Sequence, residues 1–345
     1  MIEIAKTIGL DCPLFVSSIA SNYHFLITGG SGEGKSTAEK HIEKKLGEAG
    51  MKVIAFNVNG THEDVIHDKK NFYVIRVKKD GVPFSLLECI SFPDGTKEDW
   101  TDVSEAVTEV FSQAGRMGYK QRYLLQEACE RAMALRENCT DDMCCLLNAV
   151  NSLENGAGEI LLAKYGSILK HVRFGAEIDL WREGKVTILD FSGYPQRSQI
   201  LIAQLVLSII WRWHRANGQQ VQKGTWVVLD EFQNFPLKED SVLTQILREG
   251  RKFKLSLILA TQTLEGFDVK QRAILQQPAT KLYFKPAESE LRKIANMFPD
   301  IKPAEAKIIL QGLRVGECLA SGEFTIGRET MHRTLKINFQ IKYEI

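Results

Sequence analysis

Three short stretches have residue types and spacings suited to phosphate chemistry. The first is "GGSGEGKS", Gly29 to Ser36, which fits G-x-x-x-x-G-K-[ST] with Gly29, Gly34, Lys35 and Ser36 at the defined places. Glycines let the backbone turn so that its N–H groups face inward around phosphate oxygens. The loop residues Gly29, Gly30, Ser31, Gly32, Glu33 and Gly34 are the expected cradle, with Thr37 a further phosphate contact. Lys35 offers a fixed charge to the β and γ phosphates of a nucleotide, and the Ser36 hydroxyl reaches Mg²⁺. A helix opening at this point adds its positive end.

The second stretch is "TWVVLDE", an apolar run ending in Asp230 and Glu231. A buried strand that ends this way sets both carboxylates at the edge of a sheet where ligands of open α/β folds bind. Asp230 suits the Mg²⁺ shell, and Glu231 suits taking a proton from an attacking water. Asp190, after "VTIL", offers the same Mg²⁺ chemistry. Asp230 is preferred because a second carboxylate follows it, which makes hydrolysis, not binding alone, the expected outcome.

The third is "LREGRKFKLSLILATQ", Leu247 to Gln262. Arg248, Arg251, Lys252 and Lys254 crowd the front of an apolar strand that ends near Gln262. In "SVLTQILRE", Val242, Leu243, Ile246 and Leu247 form one helical face, while Ser241, Thr244, Gln245 and Arg248 form the other. Gly250 is expected to stop this helix. Gln262 would then sit by the γ-phosphate, to orient water or report nucleotide state. Arg251 and Arg248 lie at the wrong end of the strand for their own phosphates, so a neighbouring subunit's are a natural target. An exposed basic turn is the alternative, and the residues alone leave the two open. Lys252 and Lys254 read as a solvated flank.

The elements that position these residues alternate. "YHFLITG" is a strand, "STAEKHIEKKLGEAG" a helix and "KVIAFNV" a strand, which is a βαβ unit and implies a parallel sheet. From about residue 97 to 173 the apolar period is helical throughout. Strands return with "KVTILDF", "TWVVLDE" and "LSLILATQ", and "TKLYFKP", "ECLASGE" and "TLKINFQI" complete the sheet. The expected architecture is one α/β domain, residues 1–96 and 174–345, interrupted by an all-helical insert over 97–173. In the insert, "RMGYKQRY" mixes basic and aromatic residues and is a candidate grip for nucleic acid, although an ordinary amphipathic face is the preferred reading.

Composition narrows the classes. The chain has 345 residues, 44% hydrophobic and 25% charged, with a formal net charge of +1. Whole-chain charge thus argues neither for nor against nucleic acid. The seven cysteines match no familiar zinc or disulfide spacing, so buried free thiols in a reducing cytoplasm are expected. The start "MIEIAKTIGLDC" shows no signal peptide. The apolar run "ILIAQLVLSIIWRW" is too short to span a bilayer and is read as a buried helix.

Taken together, "YHFLITGGSGEGKST", "TWVVLDEFQNF" and "ILREGRKFKLSLILATQ" resemble the HerA/FtsK superfamily of P-loop translocases. The stretch "IGLDCPLFVSSIASNYHFLITG" is similar to that family's lead-in to the phosphate loop. The resemblance implies a RecA-like ATPase core, ATP and Mg²⁺ as ligands, a homohexamer with ATP at subunit interfaces, and DNA in a central channel. By motif match it gives Lys35, Ser36, Asp230 and Glu231 the roles above, makes Gln262 the sensor, and ranks Arg251 ahead of Arg248 as the arginine acting in trans. Members often carry an N-terminal β-barrel, whereas roughly two dozen residues precede this loop. Where members show a "DPHGEY"-like run, this chain has "NVNGTHED", in which Glu63 is the residue able to serve. A DNA motor is the preferred expectation. Alternatives are an ATPase scaffold for a nuclease or other effector, or the energising ATPase of conjugation or secretion. A small-molecule kinase fits less well, because it needs neither the trans arginine nor Gln262.

Overall fold

The computed structural model describes residues 2–8, 13–16, 22–58, 60–115, 117–136, 139, 141–154, 156–326 and 329–339. In chain order the first elements are β1 (Ile2–Thr7), β2 (Pro13–Val16), β3 (Phe25–Thr28), α1 (Lys35–Glu48), β4 (Lys52–Asn57), β5 (Phe72–Arg76) and α2 (Val77–Asp80). Four helices follow: α3 (Trp100–Gly115), α4 (Tyr119–Ala134), α5 (Asp142–Asn151) and α6 (Ala157–His171). Next come β6 (Val186–Asp190), α7 (Gln196–Asn217), β7 (Thr225–Leu229), α8 (Val242–Glu249) and β8 (Leu255–Thr261). The chain closes with α9 (Val269–Ile274), β9 (Thr280–Phe284), α10 (Glu288–Ala295), α11 (Pro303–Gln311), β10 (Glu317–Ile326) and β11 (Glu329–Asn338).

One sheet runs β11-β1-β2-β10-β9-β3-β8-β7-β4-β6-β5. From β9 to β5 every pairing is parallel. Strands β3, β6, β7 and β8 are buried along their whole length. That burial is the reason their sequences are continuous apolar runs without alternation. The other half is antiparallel, and because β11 pairs with both β1 and β10, these strands and β2 close on themselves. The sequence reading missed β1 and β2, short strands that pair with each other and with β11 and β10 some three hundred residues away.

Helix α7 explains its own composition. It is apolar nearly all round because one side lies on the sheet and the other lies under α3. The four helices α3–α6 share one apolar core with α7, α8 and the sheet. Arg212 of α7 anchors this contact: its Nη2 is 2.5 Å from Glu98 Oε2 and 2.7 Å from the Glu88 carbonyl. Among the described residues no helix is long and apolar enough to cross a membrane.

The region around α8 and the cysteines adds local detail. Helix α8 ends at Gly250 as expected, but in right-handed backbone, φ −52, which leads into a 3₁₀ turn over Gly250–Phe253. Glycine is required there by space, because a Cβ would lie 2.4 Å from the Leu255 carbonyl oxygen. The chain reverses instead at Lys254, with φ 54, whose ammonium holds the Val221 carbonyl. On the polar side of α8 Arg248 is exposed, while Ser241 caps the helix and Thr244 is fully buried against it. Finally, Cys139 and Cys145 form a disulfide, with Cα atoms 5.5 Å apart, rather than free thiols.

Two buried histidines tie the layers. His24 Nδ1 accepts the Leu257 N–H at 2.9 Å, and His214 Nδ1–H donates to the Phe253 carbonyl at 2.8 Å. Burial, the main cause, lowers both to about 4. The unfolded chain therefore binds more protons than the folded one between pH 6.5 and about 4, so these groups stabilise the fold above that window and cease to as pH falls through it. His214→Asn keeps a donor for Phe253 but cannot be protonated. Between pH 7 and pH 5 its unfolding free energy in urea should fall by about 2 kcal/mol less than that of the wild type. Parallel pH profiles would contradict this.

Candidate active site at the sheet edge

Parallel register puts the three stretches at one edge. Thr28 of β3 pairs with Thr261 of β8, and Leu229 of β7 pairs with Leu259. The phosphate loop, the Asp230–Glu231 pair and Gln262 therefore leave the sheet side by side. The loop runs from Gly29 to Gly34, exposes Ser31 and Gly32, and is held by the Gly30 N–H donating to the Lys285 carbonyl at 2.8 Å. Gly34 caps α1 with φ 99, and a Cβ there would meet the Gly316 backbone at 2.9 Å. Only glycine satisfies both conditions.

Lys35 is buried, and its Nζ donates to the Gly30 carbonyl at 2.7 Å, inside the turn of the loop. Ser36 is exposed and Thr37 half-buried at the start of α1. Burial lowers the Lys35 ammonium, opposed by Asp230, Glu231, Glu39 and Glu33. Burial likewise raises Asp230, whose carboxylate accepts the Glu231 N–H at 2.8 Å. Each charge is thus only partly compensated by the protein. A phosphate near Lys35 and a cation near Asp230 would each favour the charged form. The residues fit a Mg²⁺–nucleotide, with Ser36 and Asp230 as the groups able to hold the metal.

Glu231 is held from three directions. Its backbone has φ 52, left-handed and uncommon for a residue with a side chain. Its Oε1 accepts the Gln262 amide at 2.5 Å, and its Oε2 accepts the Gln233 amide. Such strain persists where surrounding structure fixes it, and it clusters at functional positions. The sequence reading placed Gln262 by the γ-phosphate, to orient water or report nucleotide state, and gave no role to Gln233. Gln233 carried no local signal, because its role depends on the strained backbone at Glu231.

The other candidates lie elsewhere. Asp190 is separated from β7 by β4, and accepts from Asn57 Nδ2 at 2.9 Å and from the Ser192 backbone and hydroxyl at 3.0 Å. Its hydrogen bonds are thus spent on the loop geometry. Glu63 lies in a 3₁₀ turn after β4 and is exposed. Arg248 and Arg251 are exposed at the opposite edge of the sheet, and Arg248 donates to the Glu239 carbonyl at 3.5 Å. The seven residues of β8 span about 23 Å at the usual rise, beyond the reach of either arginine to its own loop. In α4, Tyr119 and Tyr123 are exposed, while Arg122 pairs with Glu109 at 2.7 Å; Arg116 lies outside the described residues.

The chain as a whole is similar to known proteins. The family model "Helicase HerA, central domain" matches residues 9–210. The "DNA double-strand break repair helicase HerA" of Sulfolobus acidocaldarius is 21% identical over 93% of this chain, which spans 66% of that relative's length. VirB4 of Thermoanaerobacter pseudethanolicus has the same fold, with TM-score 0.71, 18% identity, and coverage of 97% of this chain and 96% of that one. The plasmid coupling protein TrwB, solved with ADP and Mg²⁺, gives TM-score 0.59 and 14% identity over 91% of this chain and 86% of its own. With a RecA-like P-loop fold and a family match over more than half its length, this chain belongs to the HerA helicase central-domain family.

Proposed function

We propose that this chain is an ATPase that works as one subunit of a homohexameric ring and uses hydrolysis to move along or process DNA. The observation that carries the reading is the Glu231 carboxylate, fixed by Gln262 and Gln233 at the edge where the phosphate loop leaves the sheet. In this reading the loop N–H groups and Lys35 bind the phosphates, and Ser36 and Asp230 hold Mg²⁺. When bound, Mg²⁺ neutralises charge on the phosphates. Glu231 takes the proton of the attacking water, and Gln262 keeps its carboxylate aimed.

Arg251, and Arg248 second, serve the site of the neighbouring subunit. Their position at the far edge of the sheet supports this, since a ring brings that edge of one subunit to the loop of the next. An arginine supplied in trans is worth about 10³ to 10⁵ in rate. DNA is gripped through its phosphates, without sequence preference. The helices over 97–173 act as an insert that covers α7 and leaves Tyr119 and Tyr123 free for a partner or nucleic acid. A second reading is an ATPase that energises conjugation or secretion, which the fold shared with the conjugative coupling protein TrwB allows, or one that assembles an effector. It differs in needing a partner complex for activity.

Mixing subunits tests the ring. Lys35→Ala and Arg251→Ala chains are each expected to be nearly inactive. Mixed rings contain some interfaces with an intact loop facing an intact arginine, so partial ATPase activity should return. No recovery in rings shown to be mixed would contradict a trans role for Arg251. For the wild type alone, duplex DNA should raise the ATPase rate, with an apparent affinity that falls steeply between 50 and 200 mM salt, as expected for roughly 6–10 phosphate contacts. A rate indifferent to DNA in a confirmed ring would favour the partner-dependent reading.

A further inference from the structure

A second group of ligating side chains lies beside the nucleotide site but takes no part in it. Glu39 and Glu43 stand one turn apart on α1, and His62 comes from the loop after β4. Their exposures are 1%, 0% and 0%. One oxygen of each carboxylate and one ring nitrogen lie within 4.8 Å of one another. His62 Nε2 is 3.0 Å from Glu43 Oε1 and 4.0 Å from Glu39 Oε1.

The surroundings admit two tautomers of His62, and one of them leaves Nε2 bare. Asn57 Nδ2 donates to Asp190 Oδ1, which leaves Asn57 Oδ1 as the acceptor on the other side. That oxygen takes the His62 backbone N–H at 2.9 Å and the Thr61 hydroxyl at 3.4 Å. With its one hydrogen committed, Thr61 Oγ1 accepts from His62 Nδ1 at 3.1 Å. In the other tautomer Nε2–H donates to Glu43 Oε1 at 3.0 Å; in this one a neutral His62 points a bare Nε2 lone pair at the Glu43 carboxylate. Two lone pairs at that separation need a positive centre.

One proton bridging Nε2 and Oε1 would answer that contact alone. It would leave both Glu39 oxygens and Glu43 Oε2, which are buried and have no hydrogen-bond partner. The nearby ammonium groups are engaged elsewhere: Lys40 pairs with Asp64, and Lys35 donates to the Gly30 carbonyl. Burying unpaired carboxylate oxygens is costly, and buried charges are normally paired or bound to metal. A dication would satisfy the nitrogen and both carboxylates and offset two negative charges at once.

We propose that Glu39, Glu43 and His62 bind a divalent first-row transition metal of the zinc type. Zinc takes imidazole nitrogen and carboxylate oxygen at about 2.0–2.2 Å. The His62–Glu43 separation is already near the ligand spacing such a site needs, and the Glu39 carboxylate has no hydrogen bond to hold it back. Magnesium is the wrong match, because it prefers oxygen ligands and retains several waters. Thr61 plays the outer partner that fixes the tautomer and tilt of a ligating histidine. The ion fastens the loop after β4 to α1, the helix that begins with Lys35 and Ser36, and is distinct from the Mg²⁺ held by Ser36 and Asp230.

The test uses the whole chain without nucleotide, and it stands whether or not the chain hydrolyses ATP. Protein stripped with a chelator is reloaded with Zn²⁺ or Co²⁺, dialysed, and measured for metal content and melting temperature. We expect one tightly held ion per chain, a higher melting temperature on loading, and visible Co²⁺ bands of a low-coordinate nitrogen–oxygen site. Glu43→Gln and His62→Asn should each weaken binding by roughly tenfold or more. Lys35→Ala should keep the ion. The Co²⁺ spectrum of the wild type stands if the variants fail to fold. No retained ion and no Co²⁺ bands would overturn the proposal. So would full metal content in folded Glu43→Gln and His62→Asn, or an ion-free cluster whose protonation alone stabilises the protein as pH falls.

Discussion

The parallel register of β3, β8 and β7 is the constraint on which the site depends. Because these strands run the same way and end within two residues of one another, the chain delivers glycine, carboxylate and amide groups to one edge from three distant segments. A slip of one residue would turn each buried side chain to the other face of the sheet. Burial on both faces prevents that slip, and the apolar runs "FLIT", "TWVVL" and "LSLILAT" are its sequence form. The site is thus set by packing before any of its own contacts form.

Burial also sets the electrostatics. Lys35 and Asp230 are both pushed toward neutrality by desolvation and only partly restored by each other. The imbalance suits a site whose missing charges come with the ligand. Glu39 goes further: burial, with Asp230 and Glu43 adding repulsion, raises it well above the usual carboxylate range. Helix α1 thus meets a demand for negative charge at its mouth, beside Lys35, and one for positive charge deeper in the core.

What the sequence revealed follows from how local each feature is. The phosphate loop is a contiguous motif, and Asp230 and Glu231 end a strand of uninterrupted apolar residues, so both were legible. The burial of "ILIAQLVLSIIWRW" was legible too, but not its reason, which is that α3 covers the side facing away from the sheet. The space that forces glycine at position 250 and the disulfide between Cys139 and Cys145 arise within six residues of chain but depend on local backbone geometry that residue types do not announce, and the closure of β1 and β2 with β10 and β11 depends on segments met only in the fold. The Glu231 bonds to Gln262 and Gln233 fall between these cases. Each residue stood out or lay near a motif, but only the left-handed backbone at Glu231 explains why they converge.

The central claim is that the edge brings together a working hydrolytic site in which Glu231 accepts the proton. Its most direct test is single-turnover ATP hydrolysis by Glu231→Gln, measured with nucleotide affinity on the same protein. The account predicts ATP binding within a few-fold of the wild type and a hydrolysis rate lower by at least about 10²-fold, the scale of a lost general base. A variant that binds ATP and hydrolyses it at the wild-type rate would contradict the account.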